Sequence, residues 1–463
     1  MEQYRTEKDS LGEVKVPKDA YWGAQTQRAI ENFPVSGIRF PSIFIKALAQ
    51  IKRACATVNR ELGALEPHMA DAILKSCTEI AEGKFHNQFP LDIFQTGSGT
   101  STNMNVNEVA ATRANEILTG AKNTRMPVHP NQHVNMGQSS NDVIPTAIHV
   151  AACLQVRDLL LPAMSGLAAT IRKREQQHRS VLKTGRTHLM DAMPMTVAQE
   201  LSGWAAQVEN AQEGIGRSLL RLSELAMGGT AVGTGVNTPK GFGGKVARRL
   251  SELTKFEFRE SPNHFEAQSA QDGVVELSGQ LKTYATALIK ISNDLRWMNS
   301  GPLSGIGEIR LPALQPGSSI MPGKVNPVIP EAVRMAATQV IGNDVVVSLS
   351  NAQGEFQLNV MLPVMAHNIL QSIKILANVS LLLGEMAIAG FEVDEEKMAE
   401  SLMKNPIVAT VLNPIIGYDK AAEVVKKAMK EKRSVKDLAV EMGYLSKEEA
   451  EKAFDPKSMT GPS

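Results

Sequence analysis

The hydrophobic pattern of this chain is predominantly helical, and proline cuts it into lengths. Helical spacing of apolar residues at about 42 to 62 and 67 to 83 predicts two helices. Before them lies a short polar start with some alternation, and after them a passage rich in Gly, Ser, Thr and Asn. From about 143 onward proline acts as an element boundary, and the proline-free spans 195–238, 263–301, 331–362 and 364–405 predict unusually long helices. Within the second span Val274, Leu277, Leu281, Tyr284, Leu288, Ile291, Leu295 and Met298 advance by alternating steps of three and four, the a/d seam of a left-handed helix bundle. At about 1.5 Å per residue, a helix of roughly 35 residues is roughly 50 Å long, more than a compact domain needs. Val275, Ile289 and Trp297 add apolar positions off the seam, so this helix wants neighbours on more than one side. Self-association through a shared bundle is the economical solution.

The tail restarts as short helices. Asn-Pro at 405–406 and 413–414 breaks the long run, and Ser434 with Asp437 and Ser446 with Glu449 have capping-box spacing. The expected organisation is a mixed, mostly helical domain at 1–140, a central helix-bundle domain at 141–395 and a small helical domain at 396–463.

Composition narrows the partners. Of 463 residues 43% are hydrophobic and 21% charged, so the chain can bury a core throughout. Lys plus Arg number 49 against 48 Asp plus Glu, which gives no electrostatic reason to expect nucleic acid or an anionic membrane. The start, MEQYRTEKDSLGEVKVP, lacks the apolar core of a signal peptide, and no uninterrupted apolar run approaches the ~18 to 20 residues of a membrane span. A cytoplasmic location with no membrane partner is expected. Cys55, Cys77 and Cys153 are far apart with no CxxC pair, so the residues predict buried structural thiols and no metal site. An iron–sulfur cluster with one open iron is the alternative use of three cysteines.

Four polar passages interrupt the helical pattern: TGSGTSTNMN (96–105), HPNQHVNMGQSSND (129–142), GRTHLMD (185–191) and GSSIMPGKVNP (317–327). Singly, each reads as a turn, a helix cap or a solvated charge. Together they concentrate the hydroxyl and amide donors that bind a small oxyanion, and none has the glycine spacing of a nucleotide-phosphate loop. A non-catalytic helical scaffold would need the heptads but not these four loops.

GSSIMPGKVNP, with TGSGTSTNMN, GQSSND and GRTHLMDAMPMT in this order, resembles the fumarase and aspartase superfamily. YWGAQTQ at 21–27 and LNPIIGYDKAA at 412–422 resemble class II fumarases in particular. The resemblance implies an all-α, three-domain protein whose long central helices form a twenty-helix core in a homotetramer, with each active site built from three chains. It implies reversible anti elimination of water from a small dicarboxylate, L-malate to fumarate, without cofactor or metal. On the matching positions, Ser318 is the proton abstractor on a mobile loop. Lys324 and Asn326 bind the substrate carboxylate, and His188, with Thr187 beside it and oriented by Glu331, serves the leaving hydroxyl. Ser98, Thr100, Ser139, Ser140 and Asn141 complete the substrate-binding set.

Two details pull in other directions. GVNTPKGF, NPVIPE and QLNVM resemble aspartases, which release ammonia from L-aspartate, whereas GSGT and SSND at the substrate are fumarase-like. An accessory dicarboxylate site of the family matches His129, Asn131 and Gln132, with glutamine where aspartate is usual and Arg125 offset from the expected basic partner.

Overall fold

A computed structural model describes residues 3–461. In chain order it runs through a hairpin of β1 (Tyr4–Asp9) and β2 (Gly12–Pro17), then α1 (Ala24–Asn32), α2 (Ser42–Glu61), α3 (Pro67–Ala81), α4 (Thr100–Thr119), α5 (Ser140–Gln155) and α6 (Leu161–Gln177). A second hairpin of β3 (Leu182–Thr187) and β4 (Met190–Thr196) leads into α7 (Val197–Leu222), α8 (Phe242–Thr254), α9 (His264–Ser269), α10 (Asp272–Met298), α11 (Val328–Asn351) and α12 (Leu362–Leu383). Short helices close the chain: α13 (Glu395–Lys404), α14 (Asn413–Ile416), α15 (Tyr418–Glu431), α16 (Val435–Glu441) and α17 (Lys447–Ala453). The chain folds into two compact units. One comprises everything up to Pro162 with Ala211–Ala285 and Ala337–Ala377, the other Ala163–Asn210, Thr286–Ala336 and everything from Asn378.

All eight seam residues of α10 are buried, Val275 and Ile289 are half-buried, and Trp297 is exposed, so the helix is covered on more than its seam. The long helices are shorter than the proline-free spans. Glycine explains the difference in α7, which stops at Leu222 ahead of Gly228, Gly229, Gly233 and Gly235. The second span breaks between α9 and α10, where Ala270 takes an extended backbone, leaving α10 with 27 residues, about 40 Å. Two continuous helical stretches, Ser140–Gln177 and Leu362–Ile388, are long and apolar enough to cross a bilayer. Their most apolar windows are 78% and 56% buried within the protein, the environment of core helices.

In the first unit α2 packs on α3, α5 and α8 around Phe44, Leu48, Ile51 and Ile73, and α3 packs on α4. The YWGAQTQ stretch enters α1 with no cap of its own. Glu108 of α4 supplies one: its buried carboxylate accepts from the N–H groups of Gly23 (2.8 Å), Gln25 (3.0 Å) and Thr26 (3.2 Å) and from the Thr26 hydroxyl (2.6 Å). In the second unit the short helices gather around Leu412, Val424, Leu438 and Ala450. Ser446 and Glu449 form a full capping box, while Ser434 caps α16 through its hydroxyl. Cys55, Cys77 and Cys153 are buried free thiols, and burial pushes each well above the ordinary cysteine range, which makes them unreactive.

Candidate active site

The residues expected to bind or transform substrate fall into a group in each unit. In the first, Thr100 opens α4 and Ser139 caps α5, so two helix N-termini bring their hydroxyls together. The Ser98 hydroxyl lies 2.7 Å from that of Thr100, and Thr100 2.7 Å from that of Ser140. Ser139 accepts from the Asn141 N–H at 3.2 Å, and the Asn141 amide donates to the Ala231 carbonyl at 2.8 Å. Asp142 anchors the cluster from below. It completes the capping box with the Ser139 N–H (2.9 Å) and accepts from Gly228 N–H (3.1 Å) and Thr230 N–H (3.0 Å); burial pushes it up to about 6.

The QLNVM segment closes against this cluster. Leu362 N–H donates to the Gly97 carbonyl at 3.1 Å, and a Cβ on Gly97 would stand 1.9 Å from the Val360 carbonyl oxygen. Only glycine fits there. Gly97→Ala should cost about 2 kcal/mol through this overlap, read as a lowered melting temperature, and should raise the substrate KM by displacing Ser98. An unchanged melt would refute the close approach.

His129, Asn131 and Gln132 meet at a single π-helical turn, Pro130–Val134. The His129 Nδ1 accepts from the N–H groups of Asn131 (3.1 Å) and Gln132 (3.3 Å), which requires a neutral ring, and burial lowers its pKa to match. Arg125 is turned toward the Lys8 carbonyl.

In the second unit the GSSIMPGKVNP loop is stapled at its neck. Gly317 N–H donates to the Lys324 carbonyl (2.8 Å), and the Asn326 side-chain amide donates to the Gly317 carbonyl (2.7 Å). A Cβ on Gly317 would come within 2.4 Å of the Lys324 carbonyl oxygen, so the first glycine permits the closure. Inside the loop the Ser318 hydroxyl oxygen accepts from the N–H groups of Ile320 (3.2 Å) and Met321 (3.1 Å). Two amides thus point at the atom that must carry negative charge if serine is to act as a base. The Lys324 side chain is exposed, and Glu331 lies on the first turn of α11.

Thr187 and His188 sit at the tip of the β3–β4 hairpin, whose register pairs Thr187 with Met190 and leaves His188 and Leu189 as a two-residue turn. Both have positive φ, 56° and 61°, the backbone such a turn demands and one that leucine adopts at a cost of about 1–2 kcal/mol. His188 is exposed at the tip of the hairpin. Among the described residues no hydrogen bond or ion pair joins His188 to Glu331 or to Ser318.

The chain is 54% identical over 459 residues to the class II fumarate hydratase of Xylella fastidiosa, spanning 99% of this chain and 96% of that one. A family model described as Lyase matches residues 12–342, and one described as Fumarase C C-terminus matches 408–461. The chain belongs to the class II fumarate hydratase family. A second relative, the Pseudomonas aeruginosa fumarate hydratase class II 2, is 52% identical over 460 residues, 99% of each chain. The crystal structure of recombinant class II fumarase from Schistosoma mansoni matches this fold with a TM-score of 0.97 at 40% identity, covering 99% of this chain and 100% of that one. The mostly helical architecture read from the seam is that of class II fumarases.

Two buried ionic groups bond to the elements that carry these segments, and no local motif marks them. Lys52, fully buried on α2, donates to the side-chain oxygens of Asn103 (2.7 Å), Asn135 (2.9 Å) and Gln138 (2.8 Å). Its signal in the sequence was spacing: Ile45, Leu48, Lys52 and Cys55 share one buried helix face, and lysine is the odd member. Behind the His188 hairpin, Glu308 is 1% exposed and lies within ion-pair distance of Lys183 (3.1 Å) and Arg186 (2.7 Å), while Lys183 also meets Glu200. Nothing local to Glu308 in the sequence announces this pairing across more than a hundred residues.

Proposed function

We propose that the protein is a fumarate hydratase, which takes L-malate to fumarate and water reversibly, by anti elimination and without a cofactor. The observation that carries this reading is the likeness, at 54% identity over nearly the whole chain, to a class II fumarate hydratase. The chemical obstacle is the weak acidity of the C–H beside a carboxylate. Its proton leaves only if the resulting dianionic aci-carboxylate is stabilised as it forms. In our reading the Ser318 hydroxyl first gives up its proton to solvent; the alkoxide, stabilised by the Ile320 and Met321 amides, takes the C–H proton, and the electron pair moves into the carboxylate. Lys324 and Asn326 receive the developing charge. The C–O bond on the neighbouring carbon then breaks, and the hydroxyl leaves as water with a proton delivered from the His188 side, where Thr187 and Glu331 assist. Ser98, Thr100, Ser139, Ser140 and Asn141 hold the dicarboxylate, and His129, Asn131 and Gln132 form an accessory dicarboxylate site.

We place the protein in the cytoplasm as a homotetramer with shared active sites. Support for assembly comes from a stripe on α11, where Met335, Val345 and Leu349 are 69%, 54% and 62% exposed at helical spacing. Such a stripe suits the pairing of long helices between chains, and His188, exposed at its hairpin tip, suits a site completed by another subunit. The test is fumarate absorbance in the ultraviolet from chelator-treated protein given L-malate in one cuvette and L-aspartate in another. Malate alone should give fumarate. Fumarate from aspartate alone would make the protein an ammonia-lyase, and silence in both would leave a scaffold.

A further inference from the structure

One fully buried charge of the first unit belongs to no catalytic step. Lys52 has zero exposure, and its ammonium is enclosed by three side-chain oxygens: Asn103 from the first turn of α4, Asn135 from the turn that follows Pro130–Val134, and Gln138 just ahead of the cap of α5. Asn135 is itself held, its side-chain oxygen accepting from the amides of Asn103 and Asn107 at 3.2 Å each. These three partners lie on the two passages that carry Thr100 and Ser140, whose hydroxyls meet at 2.7 Å. An ammonium has three donors and no acceptor, and here all three are used. Carbonyl oxygens from two separate passages therefore converge on one cation.

We propose that Lys52 is a positioning residue of the substrate pocket: it locks the Ser98–Thr100 segment to the Ser139–Asn141 segment. The assignment rests on the proposed dicarboxylate reading of those donors. Its physical logic is preorganisation. Buried charges are costly and are kept where their partners gain a unique geometry, and two loops that must present hydroxyls to one carboxylate need such a geometry before substrate arrives. Above neutral pH one charged neighbour offsets it. Asp142 on α5 faces it as a carboxylate, while Cys55 on its own helix and Cys77 on α3 face it as neutral thiols. Burial lowers the lysine to about 8, and of these four groups only Lys52 titrates near there, since Asp142 lies near 6 and both thiols lie far higher. The sign follows. Below about 8 the ammonium holds all three ties; above it the amine has one donor fewer and the cage loses a tie.

The experiment compares the full-length wild type with Lys52→Met and Lys52→Arg by amide hydrogen exchange and by L-malate kinetics across pH. Lys52→Met should accelerate exchange in residues 96–105 and 133–142 by about tenfold relative to the rest of the unit. It should raise the malate KM about tenfold while kcat changes by no more than about threefold, because the loss falls on binding geometry and not on proton transfer. In the wild type KM should climb as pH passes about 8, and Lys52→Arg, whose guanidinium does not titrate, should lose that climb. Unchanged exchange in both segments, or a KM within about twofold of wild type in Lys52→Met, overturns the proposal. Should Lys52→Met fail to fold, an alkaline climb that persists in Lys52→Arg overturns it instead. A wild type inert toward malate whose segments still loosen in Lys52→Met would sink the dicarboxylate reading and leave the positioning role standing.

Discussion

Ser318→Ala should lower malate turnover by about 10³-fold or more while the protein melts within about 0.5 kcal/mol of wild type. The hydroxyl oxygen is the acceptor of the Ile320 and Met321 amides, and a methyl group can neither accept those bonds nor take a proton. The neck of the loop does not depend on it, because Gly317, Lys324 and Asn326 close the loop through a backbone bond and an amide of their own. The defect should appear in kcat with little change in KM, since the lost interaction matters mainly as the C–H bond breaks. Activity close to wild type, measured as fumarate absorbance, would remove serine from the chemistry and point to His188 or bound water as the base.

Lys324→Ala is the second large effect, a loss of about 10²- to 10³-fold in kcat/KM. This substitution is clean for a structural reason. Lys324 holds the loop only through its backbone, accepting from Gly317 N–H at 2.8 Å and donating to the Met321 carbonyl at 3.3 Å, and alanine keeps both bonds. What disappears is the ammonium alone. Both kcat and KM should suffer, because the cation meets a carboxylate in the ground state and a more highly charged one in the transition state. A variant that loses less than about tenfold would show that the carboxylate is held elsewhere.

How much of this was legible in the sequence depended on whether the partner was near in the chain. The seam of α10 needed only its own spacing, and all eight residues proved buried. The Ser446–Glu449 box and the stop at Asn405–Pro406 are equally local. The hydroxyl donors near Thr100 and Ser140 were read from composition, and their meeting at 2.7 Å could not have been, because it depends on how α4 and α5 pack. The turn at His188 and Leu189 was invisible for another reason. Hairpins of that kind announce themselves with Asn or Gly, and here two residues that disfavour positive φ are held there by the strands on either side. Lys52 and Glu308 were hidden because a charge inside an apolar face reads as an irregularity until its distant partners are known.

The stapled neck of the 317–327 loop also bears on the entropy of activation. Because Ser318 and its two amide donors are held inside one closed ring of bonds, they keep their geometry as one unit, like a cassette carrying its own socket. If Ser318 is the base, as proposed, its ordering is settled during folding and not at each encounter with substrate. The activation entropy of proton removal should consequently be small, and changes that loosen the neck, such as Asn326→Ala, should make it more negative before they alter the melting temperature.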